Sequence, residues 1–208
     1  MAASTQLLTP DNCALVLIDQ QAGLAFGVQS MDKQALLNNS VALARTARVF
    51  GIPVVISTSA TKVYSGPLMP ALRAELADQP VLDRRSMNVF EDDAVLAAIA
   101  ATGRRKLLFS GMLTEACISF AVLSAQEAGY QSFVVADACG GLTATGHDMA
   151  LRRMESQGAV MTSWLQVVLE LQRDWTRKAT YDAARGIVEA NGGGYGIGLN
   201  YARDMLPH

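Results

Sequence analysis

The chain has 208 residues, of which half are hydrophobic and 17% are charged, and its net charge is −2. This length suits one domain, and no basic face indicates binding to nucleic acid or to an anionic membrane. No apolar run approaches the roughly 20 residues that span a bilayer, the start of the chain lacks the pattern of a secretory signal, and the three cysteines form no C-x-x-C pair, so we expect a cytoplasmic protein with reduced thiols.

Short apolar runs along the chain predict six strands. The first, residues 13–18, is continuously apolar, which is typical of a strand buried on both faces. The predicted strands are, in chain order, residues 13–18, 53–58, 80–83, 106–110, 132–136 and 159–162.

Longer amphipathic stretches between these runs predict helices. Asp32 is a predicted cap for a helix that Gly51 ends. The predicted helices cover residues 33–50, 72–77, 93–99, 115–128, 147–157, 164–173 and 180–190. Strands that alternate with helices predict an α/β fold whose parallel sheet has right-handed crossovers.

The chain after Trp175 differs in composition. Residues 191–198 are too rich in glycine for a core element. We therefore predict a domain over residues 1–175 and a C-terminal helical arm over residues 176–208, which packs on the domain or on a neighbouring subunit. A disordered end is the alternative.

Polar residues follow several predicted strands. Asp19 follows the first, Arg84 the third and the segment 111–117 the fourth, and Asp137 ends the fifth. Ligands of doubly wound sheets bind beyond the carboxyl ends of the strands, so we expect these residues to share one edge.

Cys117 is the first candidate for chemistry, because it falls in the first turn of a predicted helix. A helix N-terminus favours the thiolate and lowers the pKa of a cysteine. Its free N–H groups can also hold an oxyanion. The alternative is a small buried core residue, which is common for cysteine.

Asp19 and Arg84 are candidate partners of Cys117. A carboxylate that ends a buried strand is partly desolvated, which can raise its pKa toward that of a useful base. A fixed cation beside it would stabilise a thiolate and an anionic intermediate. The alternatives are a turn or cap residue for Asp19 and a solvated surface side chain for Arg84.

The remaining cysteines and histidines carry less information. Cys13 lies inside a predicted strand, and Cys139 lies in a predicted loop where it would be accessible. A Cys-His site would have to use His147, since His208 is the last residue. Two histidines are too few for a multi-histidine metal site.

Taken together, three segments resemble the isochorismatase-like cysteine hydrolase superfamily. They are Leu17-Ile18-Asp19-x-Gln21, Arg84 with Asn88-Val89-Phe90, and Gly111-Met112-Leu113-Thr114-Glu115-Ala116-Cys117. The last is the most specific, and the resemblance covers about residues 8–175. The spacing and the tail are most similar to the YcaC-like subgroup.

The resemblance implies a three-layer α-β-α fold around a six-stranded, mostly parallel sheet. It also implies Asp19 and Cys117 as members of a catalytic triad, with the backbone N–H groups of Leu113 and Cys117 as the oxyanion hole. A cis peptide bond is implied between Met112 and Leu113. The substrate pocket is expected to include Phe26, Tyr64, Met87 and Thr114.

Two departures from the family pattern bear on the mechanism. The family lysine is replaced by Arg84, which keeps the positive charge but cannot give up a proton. The D-x-H…H metal segment of nicotinamidases has no counterpart in residues 57–67, so we expect neither a metal nor another cofactor.

These observations predict a metal-independent cysteine hydrolase that cleaves a small amide, ureide or related C–N bond through a thioester. A mean hydropathy of +0.21 indicates apolar surface buried between subunits, and the subgroup often forms ring-based octamers, so we expect a homo-oligomer. The alternatives are a related hydrolase acting on another bond, a redox-sensing thiol protein, and a non-catalytic oligomer that binds a small molecule.

Overall fold

The apolar run near the start of the chain forms a central strand of a six-stranded sheet. The computed structural model describes residues 6–206, so His208 lies outside the described residues. The strands are β1 (Cys13–Ile18), β2 (Val54–Ser59), β3 (Val81–Arg84), β4 (Lys106–Met112), β5 (Gln131–Gly140) and β6 (Val160–Thr162). Their spatial order is β3-β2-β1-β4-β5-β6, and the five pairings between them are parallel.

Helices cover both faces of the sheet. They are α1 (Ala22–Ala25), α2 (Lys33–Phe50), α3 (Pro70–Glu75), α4 (Asp93–Ala101), α5 (Ser119–Glu127), α6 (Ala144–Ser156), α7 (Trp164–Gln172), α8 (Lys178–Asn191) and α9 (Gly193–Met205). A short 3₁₀ turn (Val89–Glu91) precedes α4, and a π-helical turn (Thr114–Ile118) precedes α5. Among residues 6–206, none of these helices combines the length and the apolar character needed to cross a bilayer.

Alternation along β1 divides the core into two layers. Cys13, Leu15 and Leu17 pack in the core that α2, α3, α7 and α8 cover, whereas Val16 and Ile18 pack with α4, α5 and α6. The predicted three-layer α/β fold is therefore confirmed. All six residues of β1 are buried, as expected for a strand with helices on both of its faces.

Local signals place α2 where the sequence predicts it. The Asp32 carboxylate accepts a hydrogen bond from the Ala35 N–H at 2.8 Å, and Gly51 ends the helix in the left-handed region at φ 64°. Both ends depend on short-range chemistry, which explains why they can be read from sequence.

The fifth strand is longer than predicted, which corrects two expectations. β5 runs on through Asp137 to Gly140 after a register shift opposite Phe109 and Gly111. Asp137 therefore does not end the strand. Cys139 lies in the strand and is fully buried, not in an accessible loop, because its sulfur faces the core between β5 and α5.

The glycine-rich segment forms the start of a helix, α9, in which Gly196 is the buried residue. α9 begins at Gly193 and crosses α8 so closely that a Cβ on Gly196 would lie 2.5 Å from the Glu189 carbonyl oxygen. The missing side chain thus permits the helix crossing. In α8, Ala184, Ile187 and Val188 join the core beside α2. The boundary at residue 175 stays a prediction.

Candidate functional site

Asp19 lies at the point where the chain leaves β1. Its φ of 54° is in the left-handed region, which non-glycine residues rarely adopt outside functional sites. The Asp19 N–H donates to the Ser57 carbonyl oxygen at 2.8 Å, which fixes the turn to β2. The side chain is fully buried, so the turn directs the carboxylate into the protein.

The neighbouring strand approaches this turn closely. Ile18 lies opposite Gly111 in the β1–β4 pair. A Cβ on Gly111, whose φ is 149°, would lie 1.7 Å from the Ile18 carbonyl oxygen. Only glycine therefore lets β4 carry the cysteine segment past the end of β1.

Arg84 and Asp19 form a buried, bidentate ion pair. Arg84 Nη1 donates to Asp19 Oδ1 and Nη2 donates to Asp19 Oδ2, both at 2.7 Å, and both side chains are fully buried. Nη1 also donates to the Ser57 hydroxyl at 3.1 Å, and Nη2 to the Met87 carbonyl at 3.0 Å. Such a planar fork matches a carboxylate better than an ammonium does.

Cys117 lies in the π-helical turn after β4. The peptide bond between Met112 and Leu113 is cis, and the turn follows it directly. The Cys117 thiol is partly exposed, and it lies close enough to the Asp19 carboxylate, to Arg84 and to the Leu113 N–H for each of them to shift its pKa. The structure thus brings Asp19, Arg84 and Cys117 together beside the backbone of Leu113.

The acidity of the thiol differs from the prediction. Burial and the adjacent Asp19 carboxylate raise the pKa of Cys117 to about 12, although Arg84 and the Leu113 N–H act to lower the pKa. The expected thiolate at a helix N-terminus is therefore wrong. Burial and an adjacent anion both favour the neutral form.

A second polar cluster, which no sequence motif indicates, supports the turn. The Thr114 hydroxyl lies 2.8 Å from His147 Nδ1. The Glu115 carboxylate accepts the Leu142 N–H at 2.7 Å. Thr114, expected in the substrate pocket, is fully buried, so its hydroxyl fastens the turn to α6. A family of sequences with correlated changes at these positions would be the signal that finds such contacts.

Cys117 is partly exposed through an opening at the carboxyl edge of the sheet, and large apolar side chains are exposed in the segments that follow β1, β2, β3 and β5 at the same edge. Of the expected pocket residues, Phe26, Tyr64 and Met87 expose 79%, 68% and 66% of their surface. Leu142 and Val63 are also exposed. We call these five side chains the apolar collar.

The remaining candidates lie elsewhere. Cys13 is buried at the amino end of β1, and the Asp137 carboxylate accepts the Trp164 N–H at the start of α7. Burial raises the pKa of Asp137. Within residues 6–206, no three His, Cys, Asp or Glu side chains lie close enough together to hold a metal ion.

The chain is similar to known proteins over most of its length. Residues 13–166 match the family model of the isochorismatase domain. A probable hydrolase, YcaC of Escherichia coli K12, is 36% identical over 169 residues, which are 81% of each chain. The Escherichia coli YcaC structure, described as an octameric hydrolase of unknown specificity, superposes with a TM-score of 0.92 at 32% identity and covers 99% of this chain and 100% of its own. A YcaC structure from Pseudomonas aeruginosa, described as containing hexane-2,5-diol and covalent acrylamide, has a TM-score of 0.90 at 31% identity and covers 96% of this chain and 98% of its own.

Proposed function

This chain belongs to the isochorismatase family of hydrolases, and we propose that it cleaves a small amide, ureide or related C–N bond with Cys117 as nucleophile. The observation that carries the proposal is the position of the Cys117 thiol beside Asp19, whose carboxylate Arg84 holds in place. A thiol beside a fixed carboxylate has a base ready at the moment of attack.

The pKa of about 12 for Cys117 indicates how the reaction begins. The resting thiol is protonated at neutral pH, so its proton moves to Asp19 as the sulfur attacks the carbonyl carbon. The Leu113 and Cys117 N–H groups accommodate the oxyanion. Asp19 then protonates the nitrogen, the C–N bond breaks and an amine leaves.

Water completes the cycle. Asp19 takes a proton from water as the water oxygen attacks the thioester, the carboxylic acid leaves, and the sulfur recovers the proton. Arg84 holds Asp19 in one orientation and offsets its charge, but it transfers no proton. The covalent acrylamide in the Pseudomonas aeruginosa relative supports a reactive nucleophile in this group of proteins.

An activated acyl donor tests the nucleophile directly. We expect p-nitrophenyl acetate to acetylate Cys117, as identified by intact mass and peptide mapping. Cys117→Ala should abolish the adduct, whereas Cys13→Ala should retain it. An adduct on another residue, or none on Cys117, would contradict the proposal.

A binding protein without turnover is the second candidate, and the raised pKa of Cys117 favours it. In that case Arg84→Lys, which restores the family residue, would create amide hydrolysis that the native chain lacks. Hydrolysis by the native chain would exclude it.

We propose that the protein is a homo-oligomer. The octameric Escherichia coli relative supports this, as do the exposed apolar side chains of α9, among them Ile197 and Tyr201. Light scattering after size-exclusion chromatography would measure the assembly, and a monomer would contradict the proposal.

A further inference from the structure

We propose that the site selects small uncharged amides with an apolar substituent over amides that carry a carboxylate. This inference rests on the proposed function, because it uses the same reacting centre. Two observations carry it, namely the distribution of charge around Cys117 and the side chains at the opening.

The charges of the reacting centre cancel one another. Both Arg84 terminal nitrogens are engaged by Asp19, Ser57 and the Met87 carbonyl. The remaining nitrogen, Nε, is enclosed and has no partner within residues 6–206. Arg84 therefore has no N–H group open to the opening above Cys117, and it cannot anchor a substrate carboxylate.

The cations outside the centre are poorly suited to this task. Lys62 and Arg85 follow β2 and β3 at the same edge of the sheet, and both are exposed to solvent. Exposed cations bind anions weakly because water competes for them. A substrate carboxylate would also lose its hydration close to the Asp19 carboxylate, which opposes binding.

The apolar collar supplies a different attraction, and its members are tied to the reacting centre. The Met87 carbonyl accepts from Arg84, and the Leu142 N–H donates to Glu115, two residues before Cys117. The Leu142 side chain lies 3.2 Å from a Cβ built on Gly27, beside Phe26.

A backbone hydrogen bond also holds the Tyr64 part of the collar in place. The Gly23 N–H donates to the Ser65 carbonyl at 3.0 Å, which holds the Tyr64 segment against α1. Contact with apolar surface favours a substrate whose substituent is apolar. A neutral centre inside an apolar opening therefore matches an uncharged amide.

Binding to the full-length Cys117→Ser variant tests the selection without turnover. Hexanamide and the monoamide of adipic acid have similar length and differ in the terminal carboxylate, and acetamide lacks the chain. We expect calorimetry to give an affinity for hexanamide at least about tenfold higher than for either of the others.

Paired substitutions assign the cause. Phe26→Ser with Leu142→Ser should weaken hexanamide binding and leave acetamide unchanged, whereas Lys62→Ala with Arg85→Ala should change neither. Equal or tighter binding of the adipic monoamide would overturn the proposal. The proposal would also be wrong if the collar substitutions changed the oligomeric state but left hexanamide binding intact.

A measurement on the native thiol separates this inference from the proposed function. Iodoacetamide and iodoacetate differ in charge, and glutathione gives their intrinsic rate ratio. We expect the ratio of the iodoacetamide rate to the iodoacetate rate to be at least about tenfold higher for Cys117 than for glutathione. If Cys117 is acetylated by p-nitrophenyl acetate yet shows no preference for neutral reagents or amides, the selection is wrong and the nucleophile stands. If Cys117 is never acetylated, the proposed function is wrong, whatever the binding preference.

Discussion

Cys13 and Cys117 lie at opposite ends of the central strands, and each has a cation nearby. Burial raises the pKa of Cys13 to about 12 against the lowering effect of Arg104 and Lys106, and the pKa of Cys117 is also about 12. Thiol acidity therefore does not distinguish the two cysteines.

The polar group beside each thiol distinguishes the two cysteines. The Cys13 thiol donates to the Thr9 carbonyl at 3.2 Å, and a peptide oxygen is too weak a base to take the proton. The neighbour of Cys117 is instead the Asp19 carboxylate. Cys13 is also fully buried, whereas Cys117 is partly exposed. A base and access to substrate define the candidate site, rather than a low pKa.

The largest expected effect comes from exchanging the two cysteines separately for alanine. Cys117→Ala should lower the hydrolysis of hexanamide by at least about 10³-fold, because no nucleophile remains. Cys13→Ala should leave the rate within about threefold of the native value, since buried contacts far from the chemistry change stability more than turnover. Ammonia release measures both. Equal losses of hydrolysis in the two variants would show that Cys117 has no special role in the reaction.

Asp19→Asn should move two rates in opposite directions. Hydrolysis should fall by about 10²- to 10⁴-fold, because the general base is lost. Alkylation of Cys117 near pH 9 should become faster, because the charge of the adjacent Asp19 raises the pKa of the thiol.

Asp83→Asn is the matched control for this change, since Asp83 is an exposed carboxylate one residue before Arg84. Iodoacetamide labelling from pH 7 to 10 gives the pH profiles. Circular dichroism checks folding, because breaking a buried ion pair costs about 3–5 kcal/mol. Slower alkylation in a folded Asp19→Asn variant would contradict the assigned effect of Asp19 on the thiol.

The two ends of β4 should also respond differently to added methyl groups. Gly111→Ala at the site end should lower the free energy of unfolding by more than about 4 kcal/mol, because the Cβ would overlap the Ile18 carbonyl. Gly103→Ala, before the other end of β4, meets no neighbouring atom within 4 Å. Its left-handed φ of 65° should cost about 1 kcal/mol. Urea titration measures the free energy of unfolding of both variants. Similar losses would show that the fold does not depend on the close approach of β1 and β4.

The smallest effect concerns stability at alkaline pH. The pKa of Cys13 rises from its ordinary value of 9.0 to about 12 on folding, so between these values the unfolded chain releases a proton that the folded chain keeps. Its contribution to stability is complete below pH 9 and is lost as the pH rises toward 12, at up to about 1.4 kcal/mol per pH unit. Cys13→Ala should therefore flatten the fall in stability between pH 9 and 10.5. Val16→Ala, which changes a buried neighbour on β1, should lower the free energy of unfolding without changing its pH dependence. If Cys13→Ala leaves the pH dependence unchanged, the pKa of Cys13 is not raised by burial.

The contrast between the two cysteines was only partly readable from sequence. The positions of Asp19, Arg84 and Cys117 after separate strands indicate a shared edge, because parallel strands have their carboxyl ends on one side of the sheet. The position of Cys117 beside Asp19 depends on the turn at Asp19 and on the register of β4. No short-range pattern encodes either of these.

The order of the elements and most of their boundaries follow from local signals in the sequence. β1, the Asp32 cap and the end of α2 at Gly51 depend on burial periodicity and on contacts within a few residues. The length of β5, the close crossing of α8 and α9 at Gly196 and the buried Thr114–His147 contact depend on tertiary packing. It also decided the pKa of Cys117, because desolvation and the Asp19 charge depend on groups that lie far apart in the chain and meet only when the sheet forms.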